Sequence, residues 1–195
     1  MKKLLFIILL TIPFFGFGQD EYTKIYHDNG QLKQEGMWKD GIQDGIWRTY
    51  YENGQLESEG NWKDGKEDGN GKIWSENGQL ESEGNKVYNY YENGQINVVG
   101  IWSEGSPNGL STYYRENGSL SCEGNFKNGQ KDGFWKYYYE NGQLELEGNW
   151  KDGKRDGLLK IYYENEQLSK VLNWEEDKLI SKKCWDEDGN ETECE

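Results

Sequence analysis

The chain has 195 residues, of which 33% are apolar and 15% aromatic, so rings make up nearly half of its apolar content and a thick layered core of Leu, Ile and Val is excluded. Its 26 glycines, two prolines and abundant Trp and Tyr also miss the composition of a disordered chain. The formal charge of −14 argues against nucleic acid or an anionic membrane surface as partner, since both call for patches of Lys and Arg.

In chain order, the first element is MKKLLFIILLTIPFFGFGQD. Two lysines precede an apolar run that is short against the ~20 residues of a spanning helix, and Gly16 and Gly18 stand at −3 and −1 of a cleavage before Gln19. Residues 1–18 therefore read as a secretory signal peptide, and no cysteine sits there to carry a lipid. Export to a periplasm, cell surface or medium is expected. Three cysteines remain, Cys122, Cys184 and Cys194. The last two flank the final turn and are within reach of a disulfide, one residue out of opposition in the register derived below, with Cys122 a small apolar filler.

From Tyr22 onward the chain repeats itself. Aligned on Asn-Gly, the copies fall at Asn29, Asn53, Asn77, Asn93, Asn117, Asn141 and Asn165, with a degenerate copy at Asp188-Gly189. Steps are 24 residues except one of 16 and a last one of 23. A period in this range marks a stack of one supersecondary unit. Each unit carries two turn signals, Asn-Gly and a DGKEDG-like run, and so two strands of about seven residues.

The expected architecture is all-β, an elongated single-layer antiparallel meander of tandem ~24-residue hairpins, about 70 Å long at ~4.8 Å per strand. Asn53-Gly54 and Asn141-Gly142 read as two-residue type I′ turns. That register sets Tyr51 opposite Leu56, Thr49 opposite Ser58 and Trp47 opposite Gly60, with Tyr50 and Glu57, then Arg48 and Glu59, paired on the other side. Correlated charges support it: Lys24 with Glu35, Lys72 with Glu83 and Lys136 with Glu147 are opposite in sign, while Lys160 against Val171 breaks the pattern. Reading DGKE as a four-residue loop sets Lys63 against Asp68 and Trp62 over Gly69, so that both hairpins cover a glycine with Trp.

The 16-residue step lacks an even number of residues around one turn. Faces are therefore preserved, with Gly84 opposite Val87, and the sheet narrows. One face then carries Leu32, Leu56, Leu80, Ile96, Leu120, Leu144 and Leu168 beside Trp38, Trp47, Trp62, Trp102, Phe126, Trp135, Trp150 and Trp174. The other carries Tyr26, Tyr50, Trp74, Tyr90, Tyr114, Tyr138, Tyr162 and Trp185.

The stretch DGFWKYYYENGQLELEGNWKDG, residues 132–153, resembles the MORN repeat variant of bacterial proteins, many of them of the YwqK-type antitoxin class. The resemblance covers residues 22–174, within a repeat domain of residues 19–174. Residues 175–195 read as a degenerate last repeat or cap. It implies a β-hairpin solenoid that binds other molecules and brings no catalytic residues. Glu166 in place of the turn glycine and the short unit depart from the pattern.

Candidate chemistry is sparse. The one histidine, His27, occupies the place of Tyr51 in the first unit and reads as a cap. No catalytic triad, phosphate loop or paired Cys motif is found, and pairs such as Glu57 with Glu59 or Glu145 with Glu147 recur as cross-strand partners, unlike a unique glycosidase pair. No cofactor or metal is expected: the acidic run at residues 186–193 and the Asp-Gly loops read as turn chemistry. The Trp and Leu face is assigned to structure, including Asn53, Gly54, Leu56, Gly60, Trp62, Trp135, Asn141, Gly142 and Trp150 with their turns. The column Tyr50, Trp74, Tyr90, Tyr114, Tyr138, Tyr162 is the candidate binding surface. The expected function is a secreted, non-enzymatic scaffold for a protein partner. Glycan binding by the aromatic ladder and toxin neutralisation are the alternatives, and Lys86–Tyr91, Arg115 and the segment after Trp174 are where the phrase breaks.

Overall fold

The computed structural model describes residues 20–194, and the export segment expected at residues 1–18 lies outside them. Every described regular element is a strand, and within each compact unit consecutive strands pair antiparallel. Two compact units divide the chain. The first, up to Gly71 with Glu76–Gly78, holds β1 (Glu21–Tyr26), β2 (Leu32–Lys39), β3 (Ile42–Tyr50), β4 (Leu56–Lys63) and β5 (Lys66–Glu67). The second, Lys72–Ser75 with the chain from Gln79, holds β6 (Lys72–Trp74), β7 (Leu80–Glu83), β8 (Lys86–Tyr90), β9 (Ile96–Ser103), β10 (Ser106–Tyr114) and β11 (Leu120–Lys127). It continues with β12 (Gln130–Tyr138), β13 (Leu144–Lys151), β14 (Lys154–Tyr162), β15 (Leu168–Glu175), β16 (Lys178–Trp185) and β17 (Glu191–Thr192).

The two turn types are the reverse of the sequence expectation. At Asn53-Gly54 only the glycine takes a positive φ, 85°. Gly54 N–H donates to the Tyr51 carbonyl and Tyr51 N–H to that of Gln55, both at 2.9 Å. This is a type I turn closed by a left-handed glycine and a bulge. The mirror-image type I′ turn sits instead at Asp-Gly, where Asp64 and Gly65 have φ of 52° and 75°, and Asp152 and Gly153 of 50° and 81°.

Bonds to the adjacent repeat explain the exchange. Asn53 Oδ1 accepts from Gln55 N–H at 2.8 Å, which suits a right-handed Asn, while its Nδ2 donates to the Glu76 carbonyl at 3.0 Å. At the other edge the I′ geometry aims Gly65 N–H at the Gln43 carbonyl, 3.0 Å away, and Gly153 N–H at that of Lys131, 2.9 Å away. Asn29, Asn93 and Asn165 make the same bond to the following repeat as Asn53, whereas the Asn141 amide turns to Gln143 of its own loop.

Register follows from these turns. Trp47 with Gly60, Arg48 with Glu59 and Thr49 with Ser58 pair as expected, but the bulge sets Tyr50 opposite Leu56, one place from its expected partner Glu57. Next to the I′ turn Trp62 pairs with Glu67 and Lys63 with Lys66, correcting the four-residue loop. In β12 two extra residues around Gly133, at φ 95°, then restore the register from Phe126–Lys131 to Gly124–Trp135. An insertion of two leaves every side chain on its face. The short unit obeys the same rule: Ser82 rather than Gly84 faces Val87, a slip of two that preserves parity.

The core is a column in which large residues lie between glycines. Trp135 pairs with Gly124 on one side and Gly148 on the other and is wholly buried, and Trp47 is 4% exposed. A Cβ built on Gly124 or Gly36 would stand 2.2 Å from a ring carbon of Trp135 or Trp47, so the glycines are cavities for indole. Indole nitrogens are satisfied within the sheet: Trp47 Nε1 donates to the Met37 carbonyl at 3.1 Å and Trp135 Nε1 to Asn125 at 3.0 Å. Trp62 and Trp150 face Gly45 and Gly133. Cys184 and Cys194 form a disulfide that closes the β16–β17 hairpin, and Cys122 remains a half-buried thiol pushed up in pKa by burial.

Candidate interaction surfaces

Strand alternation gives the sheet of each unit two chemically distinct faces. On the tyrosine face the column proposed from sequence is half-buried, and the hydroxyls of Tyr50, Tyr90, Tyr138 and Tyr162 are engaged. Tyr50 donates to Glu35 at 2.8 Å, Tyr138 to Glu123 and Tyr162 to Glu147 at 2.9 Å, each carboxylate standing fifteen residues upstream. Tyr90 donates to the Leu80 carbonyl at 2.7 Å. Burial, with the carboxylate bonds, pushes Tyr50, Tyr138 and Tyr162 up to about 12, and the Tyr50 bond holds Glu35 below the ordinary carboxylate range. Trp74 and Tyr114 are half-buried in the same column.

Cross-strand ion pairs lie between the rings: Arg48 with Glu59 at 2.7 Å, Lys72 with Glu83 at 3.1 Å and Lys24 with Glu35 at 3.5 Å. Lys136 sits opposite Glu147 as expected, and Glu147 also takes an ion pair at 3.6 Å from Lys160 on its other flank. Lys160, which broke the pattern against Val171, thus pairs on its other side.

Sequence reasoning passed over a second row on this face. Leu110, Phe134 and Leu158, in successive repeats of the second unit, are 50%, 44% and 55% exposed, and each faces an Asn across the next strand. The signal was legible: an apolar residue at a fixed place just before the buried column, with the opposite strand parity. Ile46 holds that place in the first unit.

The turn edge is structural. His27 Nε2 donates to the Tyr50 carbonyl at 2.7 Å, Tyr139 Oη to Tyr162 at 2.6 Å and Tyr163 Oη to Trp185 at 2.9 Å. Arg115, suspected from sequence as a functional departure, makes the equivalent bond to the Tyr138 carbonyl and another to Leu120 at 2.7 Å. Among the described residues no group of three or more His, Cys, Asp or Glu is arranged to hold a metal ion. Asp186 folds back on its own turn, and the Asn190 backbone bond holds its carboxyl below the usual range.

On the tryptophan face, Lys131 Nζ lies 4.3, 5.0 and 5.7 Å from the ring centroids of Trp135, Tyr137 and Trp150 and donates to Tyr137 Oη. One repeat on, the Arg155 guanidinium stacks 3.5 Å over Trp174 and its Nε donates to Asp177 Oδ1 at 2.7 Å. Both are cation–π arrangements made within the chain.

The sequence model of the MORN repeat variant matches residues 22–40, 43–64, 107–128, 131–152 and 155–176, and that of the MORN repeat matches 59–80 and 147–158. Each of the five variant matches spans the two strands on either side of one Asn-centred turn. No curated protein matches. Among solved structures, a chain of the TcdB2-TccC3-Cdc42 crystal structure is 11% identical with a TM-score of 0.25, the match covering 87% of this chain and 12% of that one. A protein of unknown function from Bacteroides fragilis NCTC 9343 is 13% identical with a TM-score of 0.15, over 89% of this chain and 96% of that one. Likeness at these scores carries no argument.

Proposed function

Because the chain belongs to the MORN repeat variant family, whose repeats are interaction scaffolds, we propose that it is an exported, non-enzymatic scaffold holding a protein partner on its tyrosine face. The observation that carries this reading is the row Leu110, Phe134 and Leu158, about half exposed in three successive repeats. Interface centres combine such apolar anchors with Tyr and a charged rim. Here Tyr114, Tyr138 and Tyr162 run parallel to the row with Glu123, Lys136, Glu147 and Lys160 between. A protein suits this face better than a glycan, because the Tyr138 and Tyr162 hydroxyls are committed to glutamates.

The signal-like first 18 residues support export, and the Cys184–Cys194 bridge suits an oxidising compartment. The test is affinity capture from the native envelope fraction with the tagged chain and with a Leu110→Ser, Phe134→Ser, Leu158→Ser variant of unchanged melting temperature. A partner held by the first and released by the second is expected; identical captured sets would refute the reading. A toxin is one identity that mass spectrometry of the captured partner would reveal.

A further inference from the structure

A groove opens on the tryptophan face of the second unit where the repeat changes its side chains but not its backbone. Between β12–β13 and β14–β15, position by position, Lys131 becomes Arg155, Trp135 becomes Leu159 and Tyr137 becomes Ile161, while Trp150 recurs as Trp174. Two rings are thereby replaced by two shorter aliphatic chains, while Gly148, which faces Trp135, becomes Leu172, which faces Leu159. What stays open is a groove of about 340 Å³ lined by Tyr137, Trp150, Trp174, Leu159, Ile161 and Leu172, with Arg155 and Glu145. That size lies at the lower end of small-molecule sites.

We propose that this groove binds a neutral saccharide. Aromatic rings offer flat apolar surfaces that match the CH face of a pyranose, while the two charged groups divide the polar work: a guanidinium only donates hydrogen bonds and a carboxylate only accepts them. Sugar hydroxyls do both. A fixed anion would meet Glu145 and find the Arg155 charge already paired with Asp177, while a fixed cation would meet the guanidinium on the Trp174 face it would need, so the lining suits a ligand with no net charge. The corresponding ring cluster one repeat earlier, which would suit a cation, is filled by the chain's own Lys131.

Arg155 is also held in place before any ligand arrives. Its Nε and its backbone N–H both donate to Asp177 Oδ1, at 2.7 and 3.0 Å, and its guanidinium rests on Trp174. Such pre-ordering lowers the entropic cost of binding.

The test uses the full exported chain, titrated with cellotetraose, chitotetraose, maltotetraose and, as a charged comparator, a trigalacturonate. Indole N–H signals followed by NMR are expected to shift saturably for Trp150 and Trp174, and not for Trp38 or Trp47, with at least one neutral sugar. The triple variant Leu159→Trp, Ile161→Tyr, Leu172→Gly rebuilds the rings of the preceding repeat together with the glycine that faces them, and closes the groove. It should keep its melting temperature and weaken that binding at least about tenfold. Phe134→Ser, on the opposite face, should leave sugar binding unchanged, so this proposal and the protein-partner reading fail independently. Absence of saturable shifts with all three neutral sugars, equal or tighter binding of the trigalacturonate, or undiminished binding by the folded closed-groove variant would overturn it.

Discussion

Two consecutive hairpins, Lys131–Asp152 and Arg155–Glu176, share register, turn types and the bulge glycines Gly133 and Gly157, yet they handle the same space differently. The first packs an ammonium among three rings around the wholly buried Trp135. The second puts Leu159 in that column, lays a guanidinium on one ring and leaves an open groove. The lesson is that in a single sheet of stacked repeats the backbone is common property, and whether a repeat is closed or open depends on side-chain volume alone.

The largest effect should come from truncating the buried column. Trp135→Ala should cost about 4 kcal/mol and Leu159→Ala about 2 kcal/mol in urea unfolding of the full chain, since the second site removes fewer buried atoms. Equal losses would break the comparison. The glycines come next. Gly124→Ala places a Cβ within 2.5 Å of three ring atoms of Trp135 and should cost about 3 kcal/mol, whereas Gly148→Ala meets Leu159 at 3.1 Å and should cost about 1 kcal/mol.

A smaller effect is expected from the cations. Lys131→Met should lower stability by about 1 kcal/mol through loss of the cation–π contacts, and it should redshift Trp emission as the cluster loosens. The smallest is a pH dependence. The Arg155 bond holds the folded Asp177 carboxyl below its ordinary value of 3.8. A depressed pKa means the contribution is complete above the unfolded value and lost as pH falls through the folded one. Melting temperatures of the chain and of Asp177→Asn should therefore differ at pH 6 and converge below about pH 3. A gap that persists in acid would show that Asp177 acts through turn geometry and not through charge.

Much of this was readable in advance. Period, strand positions, the all-β meander and mid-strand pairs such as Trp47 with Gly60 follow from turn residues and period-two alternation, because both are local signals. The Trp-over-glycine rule was also legible, though its partners were partly misassigned: Trp62 pairs with Glu67 and not Gly69, and the glycines that indole fills are Gly36 under Trp47 and Gly124 under Trp135. What escaped was the use of the two faces. The tyrosine column looked like free rings but has hydroxyls bonded to glutamates of the preceding hairpin, and the apolar row at Leu110, Phe134 and Leu158 was hidden by its more conspicuous neighbours.

The amino-acid sequence by itself determined the repeat, its strands and which residues share a face, because an even insertion or deletion cannot turn a β side chain over. Only the tertiary structure decided the turn types and the groove. Asn-Gly and Asp-Gly are both able to form a type I′ turn, and the choice fell to hydrogen bonds made with the next repeat, Asn53 to Glu76 and Gly65 to Gln43. The groove likewise exists only where Leu159 and Ile161 stand beside the rings of a neighbouring strand, a relation of volumes across strands rather than along the chain.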